Sequence, residues 1–367
     1  MLKRIFADNF RALVNFEFRP GPLSLLLGGN GSGKTSVFEV LGGLHDLIVI
    51  GQPVDKLFAP FTRTRWDTRD VQRFELDLES FGGTYRYALE VQHSNEPQGK
   101  PVIRSETVTF DGSLLYRFSA GEVQLFHDDE TAGPMFPFRP DRSFLVNLDS
   151  PGSKLVARLA GFKKLVTGFR LVQPNPFGME YSSSQDEAFL KRDGSNFASF
   201  FSYLNSERPD ARTELEVRLR DALPEFRNLL FRRLGDAKLL LTSFSDEKKS
   251  SVEYGFGELS EGQRVLAILY AAVCGLVHEG EVLCFDEPDN FVALSEIQPW
   301  LQVLRDTLET QGGQAMIISH HPEVMDYLAL DSLWWFERPS GPVIARPFEA
   351  ETASPLKLSE LVARGAT

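Results

Sequence analysis

Only two cysteines, Cys274 and Cys284, occur in 367 residues. Both lie inside apolar runs, which argues against a disulfide framework or a thiolate metal site and assigns them to the core. No apolar run approaches the roughly 20 residues needed to cross a bilayer. The first ten residues, MLKRIFADNF, lack the apolar centre of a secretory signal, so the expectation is a cytoplasmic protein with no membrane partner. Basic residues are also in deficit. Lys and Arg number 39 against 51 Asp and Glu, a net charge of −12, and the overall field would repel nucleic acid. A DNA contact would need a local basic groove. Arg63, Arg65 and Arg69, or Lys163 and Lys164, could line one, and ordinary solvated surface charge is the competing reading. There is no internal repeat, and no heptad is sustained over several turns, which excludes a long coiled coil. At 42% hydrophobic and 25% charged, the chain has the balance of a folded globular protein rather than a disordered one.

What is present centres on residues 28–35, GGNGSGKT, which satisfy every fixed position of the pattern G-x-x-x-x-G-K-[ST]. The apolar run 23–27 before it has strand length and the segment 36–44 after it suits a helix, so the loop sits at a strand-to-helix junction. The glycines let the backbone curl until successive N–H groups point inward, and the dipole of the next helix favours an anion there. Gly28, Asn30, Gly31, Ser32, Gly33, Lys34, Thr35 and Ser36 are therefore the candidate nucleotide-binding residues. Lys34 would reach the β- and γ-phosphates, and the Thr35 hydroxyl would ligate magnesium. A glycine-rich turn that merely contains Lys-Thr is the competing reading, and the strand before and helix after argue against it.

Along the chain, residues 2–27 read as a hairpin followed by a buried strand. Residues 71–126 alternate with period two, with turns expected at 81–83 and 111–112, and predict an antiparallel sheet. A helix is expected over 153–165 and a loop over 173–178. The spacing of Phe197, Phe200, Phe201 and Leu204, then Leu215, Leu219 and Leu223, predicts helix through 195–233, broken or kinked at Pro224. Strands are expected at 237–244 and 251–256. From 261 onward helix and strand alternate, which argues for a parallel sheet with helices on its faces.

Two further stretches have the type of a nucleotide machine. LSEGQ (259–263) stands ahead of a long apolar-periodic helix, and VLCFDEP (282–288) is an apolar strand ending in two acids. The phosphate loop, LSEGQ and strand-Asp-Glu-Pro, in this order, resemble the ATP-binding-cassette superfamily. With DNFRAL (8–13) in the N-terminal hairpin, the chain is most similar to the RecF, SMC and OLD-like head ATPases, including small stand-alone ATPases of anti-phage defence operons.

The resemblance implies an α/β fold. It would be an ABC-ATPase head with a mixed and parallel sheet core flanked by helices, an N-terminal hairpin, an antiparallel β subdomain and a helical lobe. The expected divisions are 1–50 for the first part of the core, 51–180 for a β-rich insertion, 181–258 for the helical lobe and 259–367 for the rest of the core. ATP and Mg2+ are the implied cofactors. Asp286 would hold the magnesium through water and Glu287 would act as general base. Ser260, Gly262 and Gln263 would act in trans, on the nucleotide of a second copy in a head-to-tail homodimer. His320 matches the histidine that senses the γ-phosphate; His321 is adjacent, and either could instead cap the helix that starts at Pro322. Arg11 resembles a basic residue that approaches nucleotide, with a surface arginine at a hairpin end as the alternative. Gln173 is a candidate to complete magnesium coordination, and Gln52 and Gln124 remain open. Residues 289–294 read DNFVAL, with Ala293 where the family carries a polar residue, which bears on cooperativity between the two sites.

Three functions follow from that resemblance. The first is an ATPase whose ATP-bound dimer regulates a separately encoded effector, a nuclease or toxin, because the tail after His320 is expected to be too short for a nuclease domain. The second is a RecF-like DNA-repair ATPase, which the charge does not favour. The third is a nucleotide-gated scaffold without turnover.

Overall fold

The computed structural model describes residues 1–80, 82–94, 96, 99–127, 130–149, 157–245, 250–328, 332–348 and 357–363. The chain divides into two compact units, Met1–Phe169 with Trp334–Phe348, and Arg170–Leu333 with Glu349–Thr367.

The first unit begins with β1 (Leu2–Asp8), β2 (Phe16–Phe18), β3 (Leu23–Leu27), α1 (Lys34–His45) and the short α2 (Val54–Leu57). Six strands follow: β4 (Val71–Ser80), β5 (Gly83–Gln92), β6 (Val102–Phe110), β7 (Ser113–Ser119), β8 (Glu122–Phe126) and β9 (Ala132–Pro137). Then comes α3 (Ala157–Thr167). The expected helix over 153–165 therefore starts at Ala157, and its residues 153–156 lie outside the described residues, as does Phe81 of an expected turn.

The antiparallel strands of the expected insertion do not form a sheet of their own. They continue from the N-terminal hairpin in one eight-stranded sheet, ordered β2-β1-β4-β5-β6-β7-β8-β9. Ile5 in β1 lies opposite Phe18 on one side and Leu76 on the other. Alternation sets the faces: Tyr85, Tyr87, Leu89 and Val91 of β5 are buried, and Tyr87 stacks on Phe162 of α3 with ring centres 5.6 Å apart. Asp111 and Gly112, at φ 48° and 88°, make the tight turn that the sequence called for. Acids on β4 are neutralised by arginines: Asp77 pairs with Arg86 at 2.9 Å, and Glu75 pairs with both Arg4 and Arg73. Lys163, a candidate for a DNA groove, is buried instead, and its ammonium donates to the Val146 carbonyl at 2.7 Å. Arg69 is taken up by Asp8 and Asp67.

The second unit contains β10 (Phe169–Val172), the two-residue β11 (Ser182–Ser183), α4 (Phe197–Glu207), α5 (Pro209–Ala222), β12 (Phe226–Leu234), β13 (Ala237–Ser245) and β14 (Ser251–Gly255). Then follow α6 (Glu261–Leu276), β15 (Val282–Asp286), α7 (Leu294–Gln311), β16 (Gln314–Ile318) and α8 (Pro322–Tyr327). The chain returns to the first unit through β17 (Ser332–Glu337) and β18 (Ile344–Pro347), and ends the described part in α9 (Leu358–Ala363). Helix expected through 233 stops at Ala222: Glu225 turns left-handed at φ 66°, and 226–234 becomes a strand paired along β13. The region expected to be a helical lobe thus carries α4 and α5 together with a sheet in which β13 is flanked by β12, β11 and β14. β15 and β16 run parallel, with every residue of both buried, and α6 is buried along most of its length. Cys284 is in this core and Cys274 is partly buried; burial pushes the Cys274 thiol up to about 12, so neither is poised as a thiolate. No helix among the described residues is long and apolar enough to cross a membrane.

One buried acid in the first unit has no cation beside it among the described residues. Glu106 on β6 is 0% exposed and accepts from the hydroxyls of Tyr87 (2.9 Å), Tyr116 (2.8 Å) and Ser143 (2.8 Å). Burial raises its carboxyl above the usual 4.5 despite those donors. A raised folded value means that the folded state holds the proton more tightly. The resulting stabilisation is complete below 4.5 and is lost as pH rises through the folded value. Glu106→Gln keeps the shape and cannot ionise. Its urea midpoint is expected to fall less than that of the unmodified protein between pH 4.5 and neutrality. Parallel pH profiles would show that Glu106 does not titrate in this range.

Candidate nucleotide site

In the first unit β3, buried throughout, delivers the chain to the loop, and α1 begins at Lys34. Gly28, Gly31 and Gly33 have φ of 139°, 76° and 99°, the left-handed side that glycine tolerates. Space is restricted as well. A Cβ on Gly28 would lie 2.1 Å from the Phe336 carbonyl oxygen, and one on Gly33 would lie 2.5 Å from a Val343 methyl. Among the described residues no side chain caps α1 and no acid occupies its first turn. The first-turn N–H groups and the positive end of the helix dipole are therefore available to an anion. Lys34, 5% exposed, donates to the carbonyls of Gly28 (2.7 Å) and Gly29 (3.0 Å) and to the Ser32 hydroxyl (3.4 Å). Ser36 is buried, Thr35 is half-buried, and Asn30 and Gly31 are exposed. This concave set of amides with one ammonium fits a polyphosphate. Arg11 pairs with Glu39 of α1 at 2.8 Å, so it stands beside the helix that carries Lys34.

In the second unit Asp286 ends β15, 3% exposed, and Arg192 donates to its carboxylate at 3.4 Å. Glu287 follows in a left-handed turn at φ 49°, its N–H bonded to the Ile318 carbonyl and its carboxylate accepting from Asn290 at 2.8 Å. Asp289 is half-buried, and burial raises its carboxyl while a Ser319 hydrogen bond opposes the shift. The two adjacent histidines separate by role. His321 caps α8, accepting from the Glu323 N–H at 3.2 Å, whereas His320 is exposed at the end of β16.

Ser260 is the N-cap of α6. Its hydroxyl accepts from the Gln263 N–H at 3.3 Å, and the Gln263 side chain accepts from the Ser260 N–H at 3.0 Å, a reciprocal capping box. Gly262 is needed for space: a Cβ there would lie 2.6 Å from the Phe291 carbonyl oxygen. Phe291, at φ 72°, also meets Phe177 edge-on. Ala293 caps α7 with no side-chain contribution, and Glu296 accepts from its N–H. Of the three glutamines, Gln52 is directed to Asp46 and Gln124 to the carbonyls of Leu125 and Gly133, both in the first unit. Gln173 shares the second unit with Asp286, and its N–H donates to the carbonyl of the same Arg192 that reaches Asp286. Arg192 was not found by pattern, because its acid lies 94 residues away in sequence. Asn290 stands three residues from Glu287, and that proximity was the available signal.

Residues 23–326 match the family described as "AAA domain, putative AbiEii toxin, Type IV TA system". No curated protein matches the sequence. Among solved structures, the SmcHead bound to the C-winged helix domain of ScpA is similar over 96% of this chain and 98% of its own, at TM-score 0.58 and 12% identity. The Smc head domain with an extended coiled coil bound to the C-terminal domain of ScpA, derived from Pyrococcus furiosus, is similar over 100% and 99%, at TM-score 0.56 and 10% identity. At such identity the likeness is one of fold. The chain belongs to this AAA-domain family, and its fold is that of the SMC head domains.

Proposed function

We propose that this chain binds Mg-ATP and hydrolyses it, pairs head-to-tail with a second copy on ATP, and through that cycle regulates a separately encoded nuclease or toxin in anti-phage defence. The observation that carries the reading is the preformed phosphate cradle, with Lys34 inside it and no competing cap or acid at the start of α1 among the described residues.

Each residue's role follows from its chemistry. Lys34 exchanges its loop carbonyls for phosphate oxygens, and the Thr35 hydroxyl and Asp286 carboxylate are the hard oxygen donors that magnesium takes. Magnesium, when bound, supplies a Lewis acid that spreads the charge developing on the phosphate oxygens. Glu287, steadied by Asn290, draws a proton from the attacking water, and His320 senses the γ-phosphate. The Ser260 hydroxyl, which accepts from Gln263, still has its own proton to donate, and with the Gly262 amide it serves the nucleotide of the second copy. A place in a defence system is supported by the family description, "putative AbiEii toxin, Type IV TA system". The effector reading is supported by the SmcHead structure, in which a head carries a domain of another protein.

Two experiments test this reading. With Mg-ATP, Glu287→Gln is expected to run at twice the monomer mass in light scattering while Lys34→Ala stays monomeric; equal masses for the two would remove the dimer. Gly28→Ala is expected to abolish ATP binding and to cost about 3 kcal/mol or more of stability, because the new methyl meets backbone at 2.1 Å. Gly31→Ala, with nothing within 4 Å of the new Cβ, carries only the conformational cost at φ 76°, about 1 kcal/mol. Equal thermal midpoints for these two variants would show that Phe336 does not shape the loop.

A further inference from the structure

A cavity of about 520 Å³ in the second unit is lined by residues of α5 and α7, with Cys274 and His278 from the end of α6 also in its wall. The lining carries charges of both signs, and part of that charge is already balanced. Arg218 pairs with Glu214, one turn before it on α5, at 2.6 Å. Asp210 lies in the first turn of α5, where the helix dipole favours an acid. Arg208, between α4 and α5, and Asp306, on α7, are left over. Both line the cavity, yet among the described residues Arg208 has no carboxylate and Asp306 no cation within ion-pair distance, so the two do not meet.

Arg208 instead donates from Nη2 to His278 Nε2 at 2.8 Å. A ring nitrogen that accepts is unprotonated, so the imidazole is neutral with its proton on Nδ1. Burial, and then the charge of Arg208, hold it below the usual 6.5, in keeping with that state. The ring is also hydrogen-bonded to the Gly275 backbone and the Gln311 side chain. The guanidinium is therefore anchored by a neutral acceptor and keeps its full charge and further N–H donors. The α7 side has the opposite character. The hydroxyls of Thr307 and Thr310 spend their protons on the carbonyls of Val303 (2.6 Å) and Asp306 (2.8 Å), so toward the cavity they have only lone pairs to offer. No basic residue in the last turn of α7 offsets the negative end of its dipole. Gln311 meets the same imidazole as Arg208, and Asp306 stands more than one turn earlier on α7, roughly 7 Å along the axis.

We propose that this cavity binds a small zwitterion, whose carboxylate takes the remaining N–H groups of Arg208 and whose ammonium takes Asp306 and the two threonine oxygens. The separation of donor and acceptors suits an ω-amino carboxylate or a dipeptide better than an α-amino acid, whose two charges are adjacent. A ligand with one charge alone satisfies one side and leaves the other as it was. None of the residues assigned to Mg-ATP lines this cavity, so the site goes beyond the nucleotide reading and does not depend on it.

Titration calorimetry of the unmodified protein with 4-aminobutyrate, butyrate and butylamine tests this. 4-Aminobutyrate is expected to bind about tenfold or more tightly than either singly charged analogue. Arg208→Gln, which keeps a donor for His278, and Asp306→Asn are each expected to weaken it by about tenfold or more with the circular dichroism spectrum unchanged. Butyrate or butylamine binding as tightly as 4-aminobutyrate would reduce the cavity to a plain ion site and overturn the proposal. Absence of 4-aminobutyrate binding at millimolar concentration would overturn it too, and neither of these outcomes depends on a variant that folds.

Discussion

The carbonyl of Phe336 and the side chain of Val343 come so close to Gly28 and Gly33 that neither glycine has room for a Cβ, and the rest of the first unit depends on that fit. The loop is thereby curved by packing and does not wait for a ligand to shape it. The same curvature settles the state of Lys34. A buried ammonium without partners would cost several kcal/mol, yet this one already has two carbonyls and a hydroxyl. Phosphate binding then exchanges neutral acceptors for charged ones, and the gain comes from that difference rather than from rescuing an orphaned charge.

A comparable economy of space links the parts of the second unit. Glu287 and Phe291 are both left-handed, a conformation that costs about 1 kcal/mol for a residue with a side chain. The bonds that hold this turn are the Glu287 N–H to Ile318 and Asn290 to the Glu287 carboxylate. At its far end the Phe291 carbonyl rests on Gly262, in the first turn of α6. The acid proposed to act on water and the turn proposed to serve a second copy therefore meet through the short, strained segment 287–291.

Legibility in the sequence followed the range of the interactions. The phosphate loop, the apolar-periodic helix after LSEGQ and the apolar strand that ends at Asp286 depend on residues within a few positions of each other, and all were readable. Residues 226–234 misled because Phe226, Leu229, Leu230 and Leu234 recur at helical spacing. Pairing with β13 along the whole strand outweighed that local preference. The eight-stranded sheet was hidden for the same reason: nothing near Ile5 announces that Leu76 will lie opposite it. Arg192 belongs to this class too, since it takes its meaning from an acid remote in sequence.

Range also decides what the −12 charge excludes. At physiological ionic strength charges are screened over about 8 Å, so a nucleotide at the loop responds to its immediate neighbours. Those include the amides of α1, Lys34 and an Arg11 offset by Glu39, and the first two favour phosphate. A long duplex is different, because it must neutralise phosphates one after another along a surface. Here Arg4, Arg73 and Arg86 are already paired with the acids of β4 and its neighbours, Arg69 with Asp8 and Asp67, and Lys163 is inside. These basic residues of the first unit are occupied in balancing its own carboxylates or in holding its fold, so they contribute less to an extended polyanion than the sequence count of arginines suggests.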